Sequence, residues 1–159
     1  MTELPTLTLT FCSRFQAELN GRFLQRFESD NARALLVYLV LEADHAHRRS
    51  HLATLLWPDH AEKDARNNLR QTLFKLRRTL GDDRHDPPYL LINAQTVQWN
   101  PMLAGQTVVD VWQLTAVLNQ YEADEPVPPE TLLTLYSGPL LAEAALESGL
   151  GFEEWLLIK

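Results

Sequence analysis

At 159 residues the chain is long enough to bury a core, as one medium domain or as a small domain plus part of another. Its composition, 45% apolar and 22% charged, is ordinary for a globular protein and excludes a largely disordered chain. The net charge of −7 hides an asymmetry: residues 1–81 carry 12 Lys/Arg against 9 Asp/Glu, and residues 82–159 carry 2 against 12. Between Lys63 and Arg78 there are six bases and one acid, Asp64. Local charge, not the global balance, is therefore what bears on a nucleic-acid partner. The longest unbroken apolar run, Ala34 to Leu41, is too short to span a bilayer. The N-terminus has no basic stretch leading into an apolar core. With Cys12 as the one cysteine, a reducing cytoplasm and no membrane partner are expected.

Leu4 to Arg26 reads as β structure. Leu7, Leu9 and Phe11 alternate with Thr8 and Thr10, and Phe15, Ala17 and Leu19 alternate with Gln16 and Glu18. Asn20-Gly21 supplies a turn that tolerates positive φ, and Arg22 to Phe27 is a third short strand. Ser29-Asp30 caps a helix over about 31–43, apolar nearly all round; a buried strand is the alternative for its short apolar run. Ser50 caps a second helix, His51 to Trp57, which Pro58 stops. A polar connection through Asp59 to Glu62 leads into a third helix, Lys63 to Leu80, ended by Gly81. Tyr89 to Ile92 and Thr96 to Trp99 flank Asn93-Ala94-Gln95 as a hairpin. Beyond Gly105, Asp110 caps a helix to Tyr121, and Thr131 to Tyr136 and Leu140 to Leu146 also read as helical. A last helix starts at Phe152 and runs to Lys159 without a closing signal, so further chain is expected to cover Phe152, Trp155, Leu156 and Ile158.

The third helix is the most informative segment. At about 100° per residue, Ala65, Leu69, Leu73, Leu76 and Leu80 form one apolar stripe. Lys63, Asn67, Gln71, Phe74, Lys75 and Arg78 lie opposite, with Arg66, Arg70 and Arg77 along one flank. Amides and guanidinium groups make paired hydrogen bonds to base edges, and flanking cations suit phosphates. Asn67, Gln71 and Phe74 are the candidates for base readout. Phe74 fits either a thymine methyl or packing against another part of the chain. Arg48, Arg49, Lys63, Arg66, Arg70, Lys75, Arg77 and Arg78 are the candidates for phosphate contacts. A solvated amphipathic helix is the plainer alternative. The nearly single-signed face, the amides in place of Glu/Lys pairs and the short helix and turn before it weigh against that alternative.

Arg48-Arg-Ser-His-Leu-Ala-Thr-Leu-Leu-Trp-Pro-Asp59 followed by Ala65-Arg-Asn-Asn-Leu-Arg-Gln-Thr-Leu-Phe-Lys-Leu-Arg-Arg-Thr-Leu-Gly81 resembles the DNA-binding region of SARP-type bacterial regulators. Leu135-Tyr-Ser-Gly-Pro-Leu-Leu141 with Phe152-Glu-Glu-Trp-Leu-Leu157 is similar to the opening of the bacterial transcriptional activator domain that follows it in those proteins. The resemblance implies an α+β fold: an OmpR-like winged helix-turn-helix with an N-terminal antiparallel sheet and a wing hairpin, residues 1–105, then a truncated TPR-like helical segment, residues 106–159. It implies a sequence-specific regulator, an activator that binds direct repeats in double-stranded DNA near promoters, as a homo-oligomer on tandem sites, and recruits RNA polymerase. Lys63 to Leu80 corresponds to the recognition helix, and Pro58, Asp59, His60 and Glu62 to the loop that faces polymerase. The rival class is a helical protein–protein adaptor whose basic helix docks on an acidic partner.

Neither catalysis nor a cofactor is expected. Gly-x-Ser-x-Gly, the P-loop and Gly-x-Gly-x-x-Gly are missing from the sequence. The adjacent acids Glu153 and Glu154 read as a solvated helix face. His45, His47 and His51, with His60 nearby, make a zinc site conceivable, but no cysteine is near in sequence and a solvated loop before Ser50 is the better reading.

Overall fold

The computed structural model describes residues 6–25, 27, 29–142 and 149–159. The expected strand start at Leu4, Arg26, and residues 143–146 of the expected helix from Leu140 lie outside them. Packing divides the chain into two compact units, Met1–Leu24 with Ala104–Ala145, and Gln25–Leu103 with Leu146–Lys159. These units interleave along the chain.

In the first unit β1 (Leu7–Thr10), β2 (Gln16–Leu19) and β3 (Arg22–Phe23) form antiparallel pairs, with Leu9 opposite Ala17 and Glu18 opposite Phe23. Alternation buries Leu7, Leu9, Phe11 and Ala17 on one face. Asn20 and Gly21 both take positive φ, 51° and 80°, which is the backbone a two-residue hairpin turn needs. The third strand is shorter than Arg22 to Phe27, and Phe23 is exposed. The sheet is not purely antiparallel: Thr107–Val109 joins its other edge parallel to β1, with Leu7 opposite Thr107 and Leu9 opposite Val109. A three-residue strand whose partner lies at the far end of the chain has too short a pattern to be read locally.

Asp110 is the first residue of a helix, Asp110–Glu122, and not its cap. Its carboxylate accepts the Val111 N–H (2.8 Å) and also the N–H groups of Phe11 (3.0 Å) and Cys12 (2.9 Å), tying the helix start to the end of β1. Cys12 is buried, and burial together with this carboxylate pushes its thiol up to about 11. A further helix, Pro129–Leu135, starts earlier than Thr131, with proline in the first turn where the missing N–H costs nothing. Leu140 to Ala142 is not helical; Leu140 makes an isolated bridge to Cys12.

The second unit starts with α1 (Asp30–Leu41). Ser29 caps it, its hydroxyl accepting the Ala32 N–H at 3.2 Å. The run Ala34–Val40 is buried on every side, so the helix alternative holds over the strand. A two-residue strand, β4 (His47–Arg48), passes directly into α2 (Arg49–Leu56). Ser50 therefore falls inside the first turn and does not cap the helix; the residue before the helix is Arg48, which makes no side-chain cap bond. Next come α3 (Glu62–Leu80) and the hairpin of β5 (Leu90–Ile92) and β6 (Thr96–Trp99), which forms a sheet in the order β4, β6, β5. Gly81 takes the left-handed conformation (φ 66°) that ends α3, as its place after Leu80 predicts.

Helix α6 (Leu150–Leu157), counting the two helices of the first unit as α4 and α5, belongs to this second unit and packs against α2. An added Cβ at Gly149 would lie 2.3 Å from the Leu56 carbonyl oxygen, and one at Gly151 would lie 2.8 Å from that of Leu55. Only glycine permits so close an approach of backbone to backbone. Phe152 is buried and Trp155 packs on Tyr38 at 4.9 Å between rings, so these two are covered within the unit, contrary to the expectation that later chain must cover them. The Trp155 indole N–H and the Lys159 ammonium both reach Oε1 of Glu42. Burial pushes the Glu42 carboxyl up, but these partners outweigh it and hold the group below its ordinary value. Among the described residues no helix is long and apolar enough to cross a membrane.

Candidate nucleic-acid interface

Helix α3 is built as its sequence pattern demands. Ala65, Leu69, Leu73, Leu76 and Leu80 are all buried, joined by Thr72. Each buried leucine contributes roughly 1.5–3 kcal/mol, so the stripe fixes which face turns outward. Lys63, Arg66, Asn67, Arg70, Gln71, Phe74, Arg77 and Arg78 are exposed and Lys75 is half-buried. The expected base-reading and phosphate-binding residues of this helix thus share one continuous outer surface. The helix starts at Glu62, so that acid, expected in the connecting loop, sits in the first turn with Asp64, where carboxylates suit the helix dipole. Pro58, Asp59 and His60 form an exposed turn between α2 and α3.

The cations of α3 are not equivalent. Arg66 pairs with Glu62 at 2.7 Å, with both side chains mostly exposed (61% and 77%). Such a surface pair is worth about 0–1 kcal/mol, which leaves the guanidinium available to a stronger anion. The Arg70 guanidinium donates to Oδ1 of Asn67 at 3.1 Å, orienting that amide while a second lone pair and the NH2 group remain to it. Arg78 lies over the Phe74 ring at 5.7 Å. Phe74 is 62% exposed, so of its two readings packing against another element is not what is found. Arg77 differs from the rest: its Nε donates to the buried carboxylate of Asp82 at 3.2 Å.

Between the start of α2, α3 and the hairpin turn lies an open groove of about 490 Å³, lined by Arg48, Arg49, Ser50, Arg66, Gln95 and Thr96 among others. Arg48 and Arg49, far from α3 in sequence, are brought beside Arg66 because the Arg49 N–H donates to the Gln95 carbonyl (2.8 Å) and its guanidinium to the Asn93 carbonyl (3.1 Å). The first turn of α2 carries no acid and no capping side chain, so its N–H dipoles add to the positive field of the groove. The groove-lining Ser50, Gln95 and Thr96 were missed in the sequence, although the place of Gln95 and Thr96 at the tip of the hairpin after the basic helix was a signal for those two.

The His45 and His47 rings lie 4.1 Å apart, and the Tyr38 ring neighbours both His47 and His51. His47 is buried and donates to the Glu42 carbonyl (2.7 Å), and burial pushes its pKa down. His51 lies 3.2 Å from the Tyr38 hydroxyl, His45 pairs with Asp44 (2.7 Å), and His60 sits in the exposed turn. No group of three or more metal-ligating side chains occurs among the described residues.

No family model matches the sequence, and no curated protein does. The structure is similar to that of Mycobacterium tuberculosis EmbR, solved in complex with a low affinity phosphopeptide, with a TM-score of 0.70 and 19% identity. The match covers 98% of this chain and 42% of that one, so the chain spans less than half the length of EmbR. At this identity the likeness is one of fold: the mixed α+β architecture of the chain is EmbR-like nearly end to end.

Proposed function

We propose that the chain is a sequence-specific DNA-binding transcriptional regulator of SARP type. In this reading the second unit is a winged helix: α1, β4, α2, α3 and the β5–β6 hairpin follow the order helix, strand, helix, helix, wing. The observation that carries the reading is the outer face of α3, where amides and cations stand together above a leucine stripe that is wholly buried. Asn67 and Gln71, with Phe74 against a thymine methyl, read base edges in the major groove of double-stranded DNA. Lys63, Arg66, Arg70, Lys75 and Arg78 flank them on phosphates, and Arg48 and Arg49 hold a phosphate in the groove at the start of α2. EmbR is itself a SARP-family transcriptional regulator, which supports the regulatory role. By the same resemblance the protein activates from direct repeats, assembles as a homo-oligomer on tandem sites, and meets RNA polymerase through Pro58, Asp59, His60 and Glu62.

The test is selection of bound sequences from random duplex DNA, followed by binding of Asn67→Ala and Gln71→Ala. Each replacement is expected to cost roughly 1–3 kcal/mol on the selected site and much less on random DNA. Equal losses on both would return these residues to a solvated helix face. Failure to bind any duplex, with capture by an acidic protein surface instead, would favour the adaptor reading.

A further inference from the structure

We infer that Asp82 is a positioning residue for the DNA interface: it fixes the hairpin against the end of α3 and keeps Arg77 away from phosphate. The inference rests on the DNA-binding reading above and deepens it. Asp82 is 2% exposed, and its side chain has no contact with solvent at all. A carboxylate is buried at high cost unless its oxygens are fully engaged. Here they are engaged by two different elements. Oδ1 accepts the N–H groups of Tyr89 and Leu90 (the latter at 3.3 Å), at the root of β5. Oδ2 accepts Nε of Arg77, in the last turn of α3, at 3.2 Å. The left-handed turn at Gly81 carries the chain back so that this carboxylate lies under the helix it has just left.

The consequence reaches the interface through geometry. The turn of the hairpin, Gln95 and Thr96, forms one wall of the groove whose other walls are Arg48, Arg49 and Arg66. A hairpin is a stiff lever, so the placement of its root against α3 sets the width of the groove at its tip. Both attachments meet at one side chain. Arg77 counts as a cation by sequence, yet one nitrogen of its guanidinium is committed inward, and its direction is set by Asp82 and not by solvent.

The experiment uses the full chain on its selected duplex, with wild type, Asp82→Ala, Asp82→Asn, Arg77→Ala and Arg66→Ala. The readouts are a salt series and a hydroxyl-radical footprint. Asp82→Ala is expected to lose the flanking protection that the hairpin gives while keeping the central protection from α3 and the same ranking of sequences. Asp82→Asn retains an oxygen for the Tyr89 and Leu90 amides, so the flanking protection returns. Arg77→Ala is expected to weaken binding with no change in the log–log salt slope, whereas Arg66→Ala flattens it by about 0.9. A purely structural role for Asp82 would lower both parts of the footprint together, in proportion to the folded fraction, and would overturn the inference. So would a slope for Arg77→Ala that flattens like that of Arg66→Ala. If Asp82→Ala does not fold, the Asp82→Asn footprint and the Arg77→Ala slope decide on the same terms. Wild type that binds no duplex overturns the DNA reading and this inference with it; wild type that binds while the variants miss these outcomes overturns the inference alone.

Discussion

Phe152→Ala asks whether α6 is built into the second unit or is merely attached to it. Phe152 is 1% exposed and sits in the helix that packs on α2, beside Trp155, whose ring meets that of Tyr38 of α1 at a tilt. Truncating a fully buried phenylalanine costs about 3–5 kcal/mol, because the cavity closes only in part. The glycines at 149 and 151 hold the backbone of α6 against the Leu55 and Leu56 carbonyls, so the site has little freedom to collapse and the upper part of that range is expected. For a chain of this size each kcal/mol moves Tm by about 2–4 °C, giving a fall of roughly 6–20 °C. Denaturant unfolding measures the energy, and hydrogen exchange of the α2 amides shows where it acts. Ile158→Ala is the control: that residue is 81% exposed, so its change should stay within about 0.5 kcal/mol. A loss below about 1 kcal/mol for Phe152→Ala, with α2 protection unchanged, would refute the argument that α6 is part of the core.

Three further outcomes follow from the same structure. Arg48→Ala and Arg66→Ala should each flatten the salt dependence of duplex binding by about 0.9, checked by titrations at several salt concentrations, because both face one groove. Cys12, with its thiol pushed up to about 11, should resist alkylation at pH 8 in the native protein and react once unfolded. Burial lowers the pKa of His47 in the native state below the ordinary 6.5, so the unfolded chain takes up the proton first. Stability from this residue is present above about 6.5 and is lost as pH falls from there toward the depressed native value. Unfolding free energies between pH 7 and 5 should therefore decline more steeply for wild type than for His47→Gln; parallel curves would count against the assignment.

Much of the second unit was legible because its signals are local. Ser29 three residues before Ala32, the 4, 4, 3, 4 spacing of the apolar stripe from Ala65 to Leu80, and Gly81 after it each specify their structure within a few residues. The hairpin likewise follows from Asn93, whose Oδ1 accepts the N–H groups of Gln95 and Thr96. What escaped depends on distant partners. Thr107–Val109 is a strand only because β1 offers it an edge, and Asp110 serves Phe11 and Cys12 more than its own helix. Ser50 has the chemistry of a cap, but the pairing of His47 and Arg48 with β6 starts the helix one residue before it. The outward face of α3 could be read from spacing alone. That Arg77 is drawn inward could not, because Asp82 is counted in sequence as one more acid of an acidic half.

The interleaving of the two units has a consequence for how the chain reaches this structure. The first strand waits for a parallel partner that is made only after the whole stretch from α1 to the hairpin, and α2 waits for α6 across the entire helical part of the other unit. Closing such long loops must be done before the contacts that reward it are formed, so folding should be slow relative to a helical protein of equal length. During synthesis the edge of β1 and the apolar back of α2 both stay uncovered until late. Those are the surfaces on which a chaperone would act and from which aggregation would start.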